Sequence, residues 1–132
     1  MNYEITAWGN APKYLTNTIH TNLNKAVRII CFEDFKAKAT PLFSKLKLLK
    51  FEDCCKLETA KFMHDIYNNN DVSNLNTLFE KANKRHNYKT RHATNSNFSL
   101  PFIRTDSRKK FLAFNGVKIW NQVPIEIKNT RS

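Results

Sequence analysis

The sequence predicts a mainly α fold: a small bundle of about four helices over residues 16–83, followed by a basic, irregular or extended C-terminal part that ends in a short final helix. Three observations lead there. Up to residue 84 the apolar residues recur at helical spacing. The 132 residues include only 2 Gly and 4 Pro, which excludes collagen-like, Gly-linker and Pro-rich disordered classes. After Lys84 the periodicity stops and basic and polar residues take over. A chain of this length buries roughly two-thirds of its unfolded surface, enough for a core without disulfide or metal staples.

The first helix is expected over about Thr16 to Phe32, where Leu23, Ala26, Val27 and Ile30 fall at i, i+3, i+4 and i+7 and Asn22, Lys25 and Arg28 take the opposite face. Thr40 followed by Pro41 reads as an N-cap and first-turn proline, opening a short helix through Leu42, Phe43, Leu46 and Leu49. A third helix spans Glu52 to Tyr67, with Cys55, Phe62, Met63, Ile66 and Tyr67 inward and two acids in the first turn, where the helix dipole favours them. The run Asn68-Asn69-Asn70-Asp71 stops it. Ser73 can cap a fourth helix carrying Leu75, Leu78, Phe79 and Ala82.

Beyond that point residues 86–97 read as a loop or arm, and Phe98, Leu100, Phe102 and Ile103 around Pro101 as an edge-type extended segment. Phe111, Leu112 and Phe114 fit a strand or the start of a last helix. Gly116, Trp120 and Pro124 suggest a turn, a helical stretch and its end. The chain divides into a helical segment, 1–83, and a basic extension, 84–132, forming one structural unit.

Charge points to the partner. There are 22 Lys+Arg against 11 Asp+Glu, a net charge of +11. Residues 71–132 carry 12 basic and 4 acidic side chains, against 10 and 7 in residues 1–70. Such a field concentrates phosphate-bearing ligands. Between Lys81 and Lys110 cations alternate with flat rings: Lys84, Arg85, His86, Tyr88, Lys89, Arg91 and His92, then Arg104, then Arg108, Lys109, Lys110 and Phe111. Lys and Arg neutralise phosphates and Tyr88 can stack on an exposed base, contributing roughly 1–3 kcal/mol per base. The blander reading of the run is a solvated face, and Trp120, Phe111 and Phe114 fit a core better than a recognition surface.

Catalytic chemistry finds little foothold. GxxxxGK, GxGxxG, GxSxG, HExxH and CxxC are all absent, and the pairs Glu33-Asp34 and Glu52-Asp53 diverge on a helix surface. No catalytic residue, metal site or cofactor is expected. Cys31, Cys54 and Cys55 suit reduced, buried thiols, and a nucleophile built on Cys55 or His64 would need a depressed cysteine pKa. The N-terminus lacks the order of a signal peptide and no apolar run approaches the ~20 residues of a membrane span. An intracellular chain, in cytoplasm or nucleus and neither secreted nor membrane-bound, is expected.

Five motifs in one order carry a resemblance: Tyr3 with Ala7-Trp8-Gly9-Asn10; Leu23-Asn24-Lys25-Ala26-Val27-Arg28-Ile29-Ile30; Leu46 and Leu49 with Phe51-Glu52-Asp53; His86-Asn87-Tyr88-Lys89-Thr90-Arg91; and Gly116 with Trp120-Asn121-Gln122-Val123-Pro124, Ile127 and Lys128. Over nearly its whole length the chain resembles the region after the catalytic palm of non-LTR (LINE-type, jockey-like) retrotransposon reverse transcriptases. In that family the post-palm helices act as a thumb and the basic tail as a C-terminal extension, both handling template RNA and primer DNA. The family's [FY]-x-D-D palm motif is missing, and Asp53, Asp65, Asp71 and Asp106 are not its equivalents. Where the family often has a leucine-glutamine pair, Leu23 is followed directly by Asn24.

The resemblance implies a fragment of an RNA-directed DNA polymerase that lacks its metal-binding carboxylates and so does not polymerise by itself. It implies sequence-independent binding of RNA or DNA, with the absent palm as a possible protein partner and no small-molecule substrate. Lys25, Arg28, Lys36 and Lys38 on the helical part, with Lys84, Arg85, Tyr88, Lys89, Arg91, Arg104, Arg108, Lys109 and Lys110, form the expected contact set. The alternative is a structural remnant of a truncated element, or a mis-assigned reading frame, with no function of its own.

Overall fold

The computed structural model describes residues 4–68, 74–85 and 88–130. Among them the chain forms nine helices: α1 (Ile5–Trp8), α2 (Lys13–Ile30), α3 (Ala39–Lys45), α4 (Phe51–Tyr67), α5 (Ala82–Arg85), α6 (Arg91–Thr94), α7 (Asp106–Lys109), α8 (Leu112–Gln122) and α9 (Ile125–Lys128). A 3-10 turn covers Asn74–Leu78. The only β pairing among the described residues is one antiparallel bridge between Lys81 and Phe98. The mainly α class read from the sequence is what the chain adopts.

Helix α4 organises the rest. Its first turn carries Glu52 and Asp53, and its buried residues Phe51, Cys55, Thr59, Met63 and Ile66 recur every three or four positions. Thr59, 1% exposed, satisfies its hydroxyl by donating to the Cys55 carbonyl at 2.7 Å. One end of α4 packs on α1, where Trp8 stacks on Phe51 with ring centroids 5.8 Å apart. Gly9 permits that approach, because a Cβ there would lie 2.8 Å from the Cys55 sulfur and 2.5 Å from the Ile5 carbonyl oxygen. The other end packs on α8, and Met63, Ile66, Phe79, Phe98, Val117 and Trp120 close the main core. A third cluster, Val27, Leu42 and Phe43, joins α2 to α3.

Several expectations are corrected. In α2 the buried stripe is the i, i+4 ridge Ile19, Leu23, Val27 and Cys31; Ala26 and Ile30 face solvent because α3 and α4 cover only a narrow strip. Helix α3 starts at Ala39 after an extended Lys38, so Thr40 is not its cap; Pro41 still falls in the first turn, where a missing N–H breaks no bond. That helix also ends before Leu49, which is exposed. The fourth helix does not form as one piece. The Ala82 N–H donates to the Asn97 carbonyl and the Ser99 N–H to the Glu80 carbonyl, so residues 80–82 are drawn into the bridge and only Ala82–Arg85 turns helical again. Its expected cap, Ser73, lies outside the described residues.

Within 86–97 a short helix, α6, forms, capped by the Thr90 hydroxyl accepting from the Ala93 N–H. Phe111, Leu112 and Phe114 resolve as the entry to a helix. Gly116 is no turn: it sits inside α8, buried, because the α4–α8 interface needs its missing side chain, a Cβ there lying 2.9 Å from the Met63 sulfur. Phe111 is exposed and not in the core, while Trp120 is 1% exposed. Pro124 ends the α8 run as expected and opens α9.

Candidate nucleic-acid interface

Two short segments hold most of the expected cations. The first runs from α5 to α6, which pack against each other. Lys84 and Arg85 end α5, both exposed, and Arg85 is tied down by a 2.9 Å bond from its guanidinium to the Ser99 hydroxyl. Tyr88 and Lys89 are exposed on the approach to α6, and Arg91 is the exposed first residue of that helix. His86 and Asn87 lie outside the described residues.

A polar network holds this segment on the core. Asn97 donates from Nδ2 to His92 Nδ1 at 3.0 Å, which leaves His92 Nε2–H to donate to the Phe98 carbonyl at 3.3 Å. Lys128, 3% exposed, donates to Asn97 Oδ1 and to the Asn95 carbonyl, and its ammonium lies 5.4 Å from the centre of the Trp120 ring. Trp120 donates its indole N–H to the Ser96 carbonyl at 2.9 Å. Burial holds the Lys128 ammonium below the ordinary lysine pKa. Lys128 is thus a structural cation and no part of the interface.

The second segment is 102–110. Its single acid, Asp106, is bound by Lys109 at 2.8 Å, and the hydrogen bond and charge of Lys109, with the Lys110 charge further off, hold its carboxyl below the usual range. That pair consumes Lys109. Arg104, Arg108 and Lys110 are exposed and make no ion pair with a described residue. Arg104 and Arg108 share a recess of about 360 Å³ with Phe102, Ile103 and Thr105. Lys110 lines a separate cleft of about 800 Å³ with Glu4, Asn10, Phe62, Phe111 and Leu112.

The structure does not gather the helical-part cations with these. Lys25 is exposed on α2, which packs on α3 and α4. Arg28 is half-buried and engaged: its Nε–H donates to the Ala37 carbonyl at 2.8 Å and its guanidinium lies 5.9 Å from the Phe35 ring centre, which fixes the α2–α3 corner. Lys36 and Lys38 are exposed in that corner beside the acids Glu33 and Asp34. Sequence reasoning missed Phe102, whose ring stands 90% exposed in the Arg104–Arg108 recess. The signal was present as a proline-flanked aromatic among cations, yet it read as an edge strand.

The three cysteines are free thiols. Burial, and to a lesser degree the neighbouring Cys54, push the Cys55 thiol above its ordinary value, the reverse of what a nucleophile needs. Among the described residues no three His, Cys, Asp or Glu side chains converge on a metal-sized site, and no helix is long and apolar enough to cross a membrane. No family model matches the chain, and neither a curated protein nor a solved structure matches it.

Proposed function

We propose that the chain binds RNA or DNA strands through sequence-independent phosphate contacts, as a thumb and C-terminal-extension segment of a non-LTR-type RNA-directed DNA polymerase. One observation carries the reading. From Lys84 to Lys110, six exposed cations (Lys84, Lys89, Arg91, Arg104, Arg108 and Lys110) make no ion pair with a described residue, while the one acid of the stretch is neutralised by Lys109. Unneutralised cations on and between the short helices α5, α6 and α7 are available to release counterions from a nucleic-acid backbone.

The motifs that carry the resemblance also carry structure. Trp120, Asn121 and Lys128 all bond to backbone or side chains of residues 95–98, so the last motif braces the basic segment from behind. The apolar α2–α3 corner, with Ile29 73% and Phe32 97% exposed, fits a segment that docks on a larger body such as a palm. These 132 residues do not include the [FY]-x-D-D carboxylates that the resembled family uses for its metal ions, so strand binding, and not the polymerisation step, is assigned to them.

The test is a titration of labelled oligonucleotides over a salt series. Six phosphate contacts predict a slope of log K against log salt of about −4 on single strands and about −5 on duplex, from ~0.7 and ~0.9 per contact. A flat response overturns the proposal.

A further inference from the structure

We infer that the recess between Phe102, Arg104 and Arg108 is a seat for one unpaired nucleotide, its base stacked on the Phe102 ring and its phosphate held by the two guanidinium groups. The inference rests on the nucleic-acid reading and sharpens it, from a general phosphate field to a defined subsite for single strands.

Phe98 and Phe102 stand four residues apart and have opposite fates. Phe98 is 1% exposed at the centre of the core, whereas Phe102 is 90% exposed. Leaving a phenyl ring in water forgoes roughly 1.5–3 kcal/mol of burial, so a ring held out next to a recess invites an occupant. Pro101 fixes its own φ and restricts Leu100, which sets the direction in which the chain leaves the core at Phe98 and enters the recess.

The recess is chemically matched to a nucleotide. It is lined by Phe102, Ile103, Arg104, Thr105 and Arg108, an aromatic residue and two arginines with no carboxylate among them. Arg pairs with phosphate oxygens through two parallel N–H bonds, a geometry Lys does not offer. The nearby acid is occupied by Lys109 and does not compete for the two arginines. At about 360 Å³ the recess lies at the small end of the roughly 300–1,000 Å³ span of ligand sites, a size for one small group. A base offers its face to Phe102 only when it is unstacked and unpaired.

The experiment is fluorescence anisotropy with labelled oligo(dT) of about 12 nucleotides and a duplex of the same length, on the wild type and three variants, with affinities compared at one fixed salt concentration and the single-strand slope taken over a salt series. Phe102→Leu keeps an apolar side chain and removes the π face; it should weaken oligo(dT) about ten-fold and the duplex by less than about two-fold. Arg104→Gln with Arg108→Gln should reduce the single-strand salt slope by about 0.7, the one phosphate that the two guanidinium groups share. Phe102→Trp should retain affinity, and the emission of its indole should be quenched as oligo(dT) is added. The altered side chains are exposed, so unfolding midpoints should match wild type and rule out a folding defect. Equal loss on both substrates, no loss with Phe102→Leu, or competition by polyglutamate as effective as by unlabelled oligo(dT) overturns the nucleotide seat while leaving the general reading in place. A wild type that binds neither oligonucleotide overturns both.

Discussion

The side chain of Asn121 pairs with both backbone groups of Phe98: its Oδ1 accepts the Phe98 N–H at 3.0 Å and its Nδ2 donates to the Phe98 carbonyl at 3.0 Å. An amide on α8 thereby acts as a one-residue strand for a segment whose opposite flank is bridged to Lys81. The Phe98 ring, wedged among Tyr67, Phe79 and Trp120, is oriented by that clamp.

Replacing Asn121 by Leu should therefore cost about 2–3 kcal/mol of stability, because it loses two bonds at once and strands the Phe98 N–H beside the core, while the Phe98 carbonyl keeps His92. Urea unfolding followed by tryptophan fluorescence checks this. A loss under about 0.5 kcal/mol would mean that water replaces the clamp freely.

Gly116→Ala sets helix propensity against packing. Alanine should gain roughly 1 kcal/mol in the interior of α8, yet the new methyl meets the Met63 sulfur at 2.9 Å, and Met63, fully buried, has nowhere to move. Overlap wins, and a net loss of about 1 kcal/mol is expected. The double variant with Met63→Leu should recover part of it; strict additivity of the two changes would contradict the contact.

Phe32 and Lys47 each close a helix in the left-handed region, with φ of 54° and 53°. Both corners carry the same paired bonds: Glu33 N–H to the Arg28 carbonyl with Phe32 N–H to Ile29, and Leu48 N–H to Phe43 with Lys47 N–H to Ser44. Glycine belongs at that position. Phe32→Gly should stabilise the fold by about 0.5–1 kcal/mol, since the ring is 97% exposed and contributes no packing. Phe32→Ala, which keeps a Cβ in the strained region, should bring no gain, and thermal melts of the pair distinguish strain relief from simple loss of the ring.

Lys128 makes stability depend on alkaline pH with a definite sign. Folding strips water from its ammonium and lowers its pKa below 10.5, so between the folded value and 10.5 the unfolded chain binds more protons. Stability rises with pH across that window, by at most about 1.4 kcal/mol per pH unit, and the cost is constant below it. Taking the difference from Lys128→Met cancels the other titrating groups. The difference should swing toward wild type as pH climbs; a gap that stays level would show that the ammonium keeps its water.

Helices α4 and α8 differ in how plainly the sequence announces them. Helix α4 was plain because Cys55, Met63 and Ile66 repeat on one face with acids at the start and asparagine at the end. Helix α8 is ambiguous in sequence because Phe111, Leu112 and Phe114 fit either period, and Gly116 reads as a turn when its role is contact with Met63. The segment after Asn74 was misread because Leu75, Leu78, Phe79 and Ala82 carry a true helical period, and a pairing with residues 97–99 overrides it; no local pattern announces a partner so far along the chain. Of the site, cation positions were visible, but their availability was not. Whether Arg28 or Lys128 faces a ligand or a carbonyl depends on what folding brings beside it.

Helix α4 is complete at Tyr67, but its cover, α8, is not complete until Gln122. During synthesis Met63 and Ile66 leave the ribosome well before Val117 and Trp120 exist to shield them. A nascent chain stalled in that interval displays a greasy stripe on a finished helix, the kind of surface that chaperones capture and that neighbouring polysomes glue together. Translation speed between those two helices, and not only the final energy balance, then governs how much of this protein reaches its native form.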